Sequence, residues 1–194
     1  MDARHDAIWR RAKPLLGVRS NDVHTAYCYH FARALCTLHP AADVDVVLPA
    51  ILLHDIGWST VPADKILLAF GPRAQHPELR RQHEVEGARL AREILIAVGH
   101  PAAQIEAVIQ IIDGHDTRSD ALSLEDGLVK DADKLWRYTP FGLETVRGWF
   151  GHSVEEQLAL LDDWSRTRFF VETARHMAIG LLTTLRAEAE RHHA

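Results

Sequence analysis

Cysteine is scarce in this chain, with two among 194 residues. Cys28 and Cys36 fall on one predicted helix about 12 Å apart by helical rise. A disulfide needs Cα atoms within about 7 Å, so both are expected as free thiols. The absence of inward-facing cysteine pairs argues against a structural zinc site. An excess of positive charge is also missing, because 22 Lys and Arg face 27 Asp and Glu for a net charge of -5. Such a balance makes no field that would draw a nucleic-acid polymer or an anionic membrane. No apolar run approaches the roughly 18 to 20 residues of a membrane span. The stretch Met1-Asp2-Ala3-Arg4-His5 lacks the charged-then-apolar layout of a signal peptide, and the cytoplasm is the expected compartment. Strand-like alternation, internal repeats and low-complexity segments are absent too. What is present, 47% hydrophobic and 25% charged residues, suits one globular domain with a sizeable core. The expected fold is all-α.

Histidine is abundant, at 13 residues. Nine of them (His5, His30, His39, His76, His100, His152, His176, His192 and His193) fall mostly near predicted helix ends, in loops or on polar faces. The other four lie on apolar faces. Residues 4 to 16 read as a short helix burying Ile8, Trp9 and Leu15, with Gly17 as its stop. Asn21 or Asp22 can cap a second helix to about His39, whose inner stripe is His24, Cys28, Phe31 and Leu35. Asp43 or Asp45 opens a third, with Val44, Val47, Leu48, Ile51 and Leu52 inward and His54 and Asp55 in its last turn. Pro49 marks either a kink in that helix or its true start.

From Trp58 to Gln82 the pattern weakens, punctuated by Pro62, Gly71, Pro72 and Pro77, with a short helix expected near 66–70. This excursion follows the His54-Asp55 pair and reads either as a lid or substrate-contacting region or as a solvated loop. Pro77 leads into a helix to Val98 with Leu79, His83, Gly87, Leu90, Ile94 and Val98 inward. There Gly87 allows another element to approach closely. Pro101 opens the next helix, with Ile105, Val108, Ile112 and His115 on one face. Ser123 can cap a helix carrying Leu128, Val129, Leu135 and Trp136 together with Asp131 and Asp133. Ser153 and Glu156 form a capping box for 154–164, and a last helix is expected over 168–191.

Collected on inner faces are His24, His54, Asp55, His83, His115 and one of Asp131 or Asp133. Periodicity does not choose between the last two, since Asp131 shares a face with Leu128 and Leu135, and Asp133 with Val129 and Trp136. Burying this set unpaired would cost several kcal/mol per group. One or two divalent ions are the economical partner, and imidazole with carboxylate suits Mn, Fe, Co, Ni or Zn.

The order His24…His54-Asp55…Asp133 resembles the HD-domain superfamily of metal-dependent phosphohydrolases. The resemblance rests on Ala50-Ile51-Leu52-Leu53-His54-Asp55-Ile56-Gly57 and Val129-Lys130-Asp131-Ala132-Asp133-Lys134-Leu135, and spans roughly residues 20–137. It implies a single-domain helical bundle over 1–194 with a metal site in its core and C-terminal helices, about 140–191, packed on that core. It implies that His24, His54, Asp55 and Asp133 hold one metal. The family pattern Ala-Asp-x-Leu selects Asp133 and leaves Asp131 to support the ligands from behind or to sit on the surface.

Some members of the superfamily carry two further histidines between the dipeptide and the last aspartate and bind two metals. By that similarity His83 and His115 complete a second site and Asp55 bridges the ions. The alternative is that these histidines line a mononuclear pocket and contact the substrate phosphate. The implied activity is hydrolysis of a small phosphorylated substrate, a nucleotide or another phosphate mono- or diester, by metal-activated hydroxide. Asp55 or Asp116 would orient or deprotonate the water. Lys134, Arg137, Arg118, Lys65, Arg80 and Arg81 are candidate phosphate contacts, each set against a plain role as solvated surface charge.

Departures from the family narrow the class. There is no Gly-Tyr-Pro motif of cyclic-dinucleotide phosphodiesterases, and Ile56-Gly57-Trp58-Ser59-Thr60 stands where alarmone hydrolases carry Glu-Asp. The chain is short for a deoxynucleoside triphosphate triphosphohydrolase. Other readings are a mixed-valence di-iron oxygenase on the same ligands, or a non-catalytic nucleotide-binding regulatory module. The mark of the last would be a broken ligand set, and here the set is complete. No feature of the pattern fixes an oligomeric state.

Overall fold

The computed structural model describes residues 3–71 and 74–193. Among them every regular element is helical, with no strand, and no helix is long and apolar enough to cross a membrane. Helix α1 (Ala3–Ala12) buries Ile8 and Ala12 and tightens into a 3-10 turn over Lys13–Leu16. Helix α2 (Asn21–Leu38) turns His24, Cys28, Ala32 and Leu35 inward. The expected cap at Asn21 or Asp22 is displaced to Ser20, whose side chain makes no capping bond. Arg19 and Ser20 instead turn the chain into α2 with φ of 52° and 59°. Cys28 and Cys36 are both buried and free.

Helix α3 (Val44–Leu53) is the central element, packed against α1, α2, α5 (Ala102–Ile112) and α6 (Leu124–Leu135). The Asp43 side chain caps it by accepting from the Asp45 N–H at 2.9 Å. Every residue from Val46 to Leu53 is buried, whereas Val44, expected on the inner stripe, lies exposed in the projecting first turn. The helix begins five residues before Pro49 and continues past it. Proline has no N–H to give the carbonyl four residues back, here that of Asp45. His100 Nε2 supplies the missing donor at 2.8 Å, so the central helix keeps its bond inventory.

Helix α4 (Glu78–Ala97) packs on α5 and on a 3-10 turn over Ile56–Thr60. The reason for the latter contact is Gly57. A Cβ there would lie 1.9 Å from the His83 carbonyl oxygen and 2.6 Å from the Gly87 nitrogen. The buried edge of α4 runs His83, Glu84, Gly87, Ala88, Ala91 and Leu95, rotated slightly from the expected stripe so that Leu90 and Ile94 are only half-buried. The helix expected near 66–70 is a 3-10 segment, Ala63–Leu68. It closes a small apolar cluster of Trp58, Val61, Ile66 and Ala69. Pro72 and Arg73 lie outside the described residues.

At the C-terminal end, helix α7 (Pro140–Phe150) is the first of the helices expected over about 140–191, in a stretch where no individual helix was outlined from sequence. Pro140 sits at the first helical position, where its missing N–H is no loss, and Thr139 caps the helix by accepting from the Gly142 N–H. The capping box of Ser153 and Glu156 starts α8 (Val154–Thr167), which extends one turn past Trp164.

Helix α9 (Glu172–His193) begins four residues later than expected. The cause is Asp131, whose carboxylate accepts from the N–H groups of Phe170 and Val171, each at 2.9 Å, and fixes the entry to α9. Asp131 is fully buried there, neither at the surface nor behind the metal-competent residues. α9 packs against α2, α6 and α8.

Candidate metal centre

His24 arrives from α2, His54 caps the C-terminus of α3, and Asp133 comes from the last turn of α6. These helices touch one another pairwise, so the three side chains converge from rigid supports. His24 Nε2 lies 3.1 Å from His54 Nε2, 3.3 Å from Asp133 Oδ1 and 3.5 Å from Asp55 Oδ2. His54 Nε2 lies 3.6 Å from Asp55 Oδ2 and 3.7 Å from Asp133 Oδ1. Donors at about 2.1 Å from one ion stand about 3.0 to 3.4 Å from each other, so these four nearly fit a common cation.

A second group adjoins it. His83, from α4, and His115, from the turn after α5, place their Nε2 atoms 3.3 Å apart. Asp55 Oδ1 is 3.6 Å from His115 Nε2 and 3.9 Å from His83 Nε2, and Asp116 Oδ2 is 3.7 Å from His83 Nε2. Asp55 therefore gives one oxygen to each group. The sets His24–His54–Asp133, His54–Asp55–His115 and His83–His115–Asp116 each could hold a metal ion.

The ligand faces of the rings are set by what their other nitrogens do. Nδ1 of His54 donates to the Ile51 carbonyl at 2.8 Å, and Nδ1 of His115 to that of Ile112 at 2.9 Å. That leaves Nε2 of each ring as the atom turned toward the centre. The Trp58 indole lies flat on His83, ring centroids 3.9 Å apart, while its Nε1 donates to Asp55 Oδ1 at 3.1 Å. Trp58 thus orients one residue of the centre and bonds another.

Charge follows the packing. Burial pushes His24 and His83 down to about 4, against the pull of nearby carboxylates. Burial also works against the His115 imidazolium, but the Asp55 hydrogen bond and the Asp116 charge outweigh it and raise that group to about 9. Asp55 stays well below the usual carboxylate range despite burial, through His54, His115 and His24, and Asp133 is lowered by Arg137 and His54. A buried and a half-buried carboxylate held as anions beside two neutral imidazoles make a site whose chemistry favours a cation.

The turn bearing His115 and Asp116 is tied down by groups that sequence reading did not single out. Glu84, fully buried, accepts from the N–H groups of Asp116 and Thr117 at 2.8 and 2.7 Å. Lys130 donates to the carbonyls of Gly114, His115 and Arg118. Two of the candidate phosphate contacts belong to the same scaffold. Arg118 bonds Asp126 and the Asp113 carbonyl, and Arg81 pairs with Glu84 and Asp113.

Arg80 donates to the Asp116 carbonyl, Lys134 pairs with Asp131, and Arg137 donates to the Asp133 carbonyl. These three line a cleft of about 730 Å³ that also takes in His115, Asp116, Asp133 and the rings of Trp149, Phe150, Trp164, Phe169 and Phe170. Arg118 reaches its wall, whereas Lys65 and Arg81 do not. A smaller cavity lies directly over His24, Asp55 and Asp133 and shares Phe70, Asp116, Arg137 and Trp149 with the cleft.

Compared with known families, residues 21–137 match the HD domain. Among solved structures, the chain is similar to the crystal structure of a "predicted HD superfamily hydrolase" from an uncultured Thermotogales bacterium. The TM-score is 0.62 and the identity 20%, over 95% of this chain and 88% of that one. No curated protein matches.

Proposed function

This chain belongs to the HD domain family, and from that premise we propose that it is a metal-dependent hydrolase of phosphate esters with a nucleotide-sized substrate. The observation that carries the reading is the division of Asp55 between two His–Asp groups, in a small cavity that adjoins a cleft rimmed with cations and aromatic rings. His24, His54, Asp55 and Asp133 would hold one divalent ion, and Asp55, His83 and His115 a second. Such ions supply an acidified water and neutralise charge on phosphoryl oxygens.

The chain's own residues account for the rest. Asp116 has a partly exposed carboxylate beside His83, where it can take a proton from an attacking water. Arg137 and Lys134 bring positive charge to the cleft wall next to Asp133, Arg137 as a planar fork and Lys134 as a point charge. A volume of about 730 Å³ falls in the range of sites for drug-sized ligands. The rings of Trp149, Phe150, Trp164, Phe169 and Phe170 offer stacking surface for a base or another flat leaving group.

A panel of nucleoside monophosphates and simple phosphate esters, assayed anaerobically with Mn or Co, tests the reading. Turnover without O₂ supports it. Inert esters, together with an iron- and O₂-dependent reaction, would replace it with oxygenase chemistry on the same ligands.

A further inference from the structure

Arg19 precedes α2, carries no catalytic motif and was not among the candidate residues, yet its side chain reaches the metal centre. Its guanidinium carbon sits 4.9, 4.8 and 5.1 Å from the ring centroids of Trp58, Phe70 and Trp149. Among the described residues no hydrogen bond or ion pair engages it, and its buried Nε has no partner. Two residues on, the Asn21 side chain is 2% exposed, and its Nδ2 is likewise unpartnered. Both line the small cavity over His24, Asp55 and Asp133. The backbone that aims them is strained, since Arg19 and Ser20 are consecutive non-glycine residues in the left-handed region. An aromatic box holds a guanidinium in one orientation while leaving its edge N–H groups unused. Unused buried donors beside a cation site call for an acceptor.

We propose that Arg19 and Asn21 form an anion subsite that grips the phosphoryl oxygens of the substrate in the small cavity that His24, Asp55 and Asp133 also line. This rests on the phosphate-ester reading above and adds to it the residues that seat the anion. The competing role is a plain counter-charge: Arg19 faces Asp55, Asp116 and Asp133 and would only offset their charge in the absence of metal. The two roles differ in what a substitution disturbs. A counter-charge governs metal affinity, whereas an anion subsite governs phosphate affinity at constant metal.

The test titrates inorganic phosphate into the Mn-loaded full chain by calorimetry, with tryptophan fluorescence as a second signal because Trp58 and Trp149 pack on the guanidinium. Arg19→Gln should bind phosphate about 10- to 100-fold more weakly, the scale of hydrogen bonds to a charged group. Arg19→Lys should lose part of that, keeping the charge but not the planar fork, and Asn21→Leu should lose less. Metal content and helical circular dichroism should match the parent throughout. If Arg19→Gln does not fold, Arg19→Lys and Asn21→Leu decide the matter.

Phosphate affinity equal to the parent's in these variants, or a loss that tracks lost metal, overturns the subsite, as does a parent that binds no phosphate. The two ideas separate cleanly. Inert phosphate esters with Arg19-dependent phosphate binding would refute the functional reading and keep the subsite. Ester hydrolysis with an unchanged KM in Arg19→Gln would do the reverse.

Discussion

The two halves of the metal centre are built differently. His24, His54 and Asp133 stand on or at the ends of α2, α3 and α6, which pack directly on one another around the central helix. Their facing atoms lie 3.1 to 3.7 Å apart. The other half draws His83 from α4 but His115 and Asp116 from a turn, and its separations stretch to 3.9 Å. That turn is placed by Glu84 and Lys130 rather than by a helix of its own. The first half inherits its precision from core packing, and the second depends on a hydrogen-bonded scaffold. Asp55 and the turn after it are what they share.

Gly57→Ala should have the largest effect, because it strikes that shared turn. The added carbon would meet backbone atoms of His83 and Gly87 that cannot rotate away. A loss of at least about 3 kcal/mol in denaturant unfolding is expected, and near-parent stability would mean that α4 can shift off the turn. Asp55→Ala should come next. It leaves the fold and lowers the affinity of both ions at least about 100-fold, as a ligand matters no less than the outer groups that orient it. Calorimetric metal titration reads this out.

Glu84→Gln sharpens the comparison by acting on one half only. Loosening the turn should weaken the second ion about 10- to 100-fold and spare the first. Equal weakening of both would show that the halves are not separately supported.

Acid should produce the gentlest change. Folding lowers His24 and His83 from an ordinary value of 6.5 to about 4. The unfolded chain therefore gains protons first as pH falls, and the part of the metal-free protein's stability that these two groups contribute, fully present above 6.5, should decline between 6.5 and 4, while His115, raised to about 9, acts only above that window. A flat unfolding profile across that window would contradict the burial of neutral imidazoles.

The histidines of the site were its most legible part. His24, His54 and His83 announce themselves because a polar residue on an apolar stripe breaks a period of 3.6, and the structure brings all three to one place. His115 was found the same way, although α5 ends at Ile112 and the residue actually sits in the turn beyond. Periodicity could not separate Asp131 from Asp133, as each had apolar companions. Their roles depend on a partner distant in sequence: Asp133 meets His24, and Asp131 meets the start of α9.

Arg19, Asn21, Trp58 and Trp149 carried no signal of this kind. Arg19 precedes a helix in a stretch without period, and Trp149 sits on α7, a helix not outlined individually from sequence. Glu84 read as one more polar residue beside His83. Its burial follows from a turn that only the folded chain brings near.

The proposed sharing of two ions through Asp55 is decided by metal analysis of the parent, His54→Ala and His83→Ala. About two equivalents per chain are expected in the parent, with one retained by His83→Ala and a clear loss in His54→Ala. A parent with one equivalent that His83→Ala keeps would contradict the second site. Full metal content in both variants would contradict the centre itself.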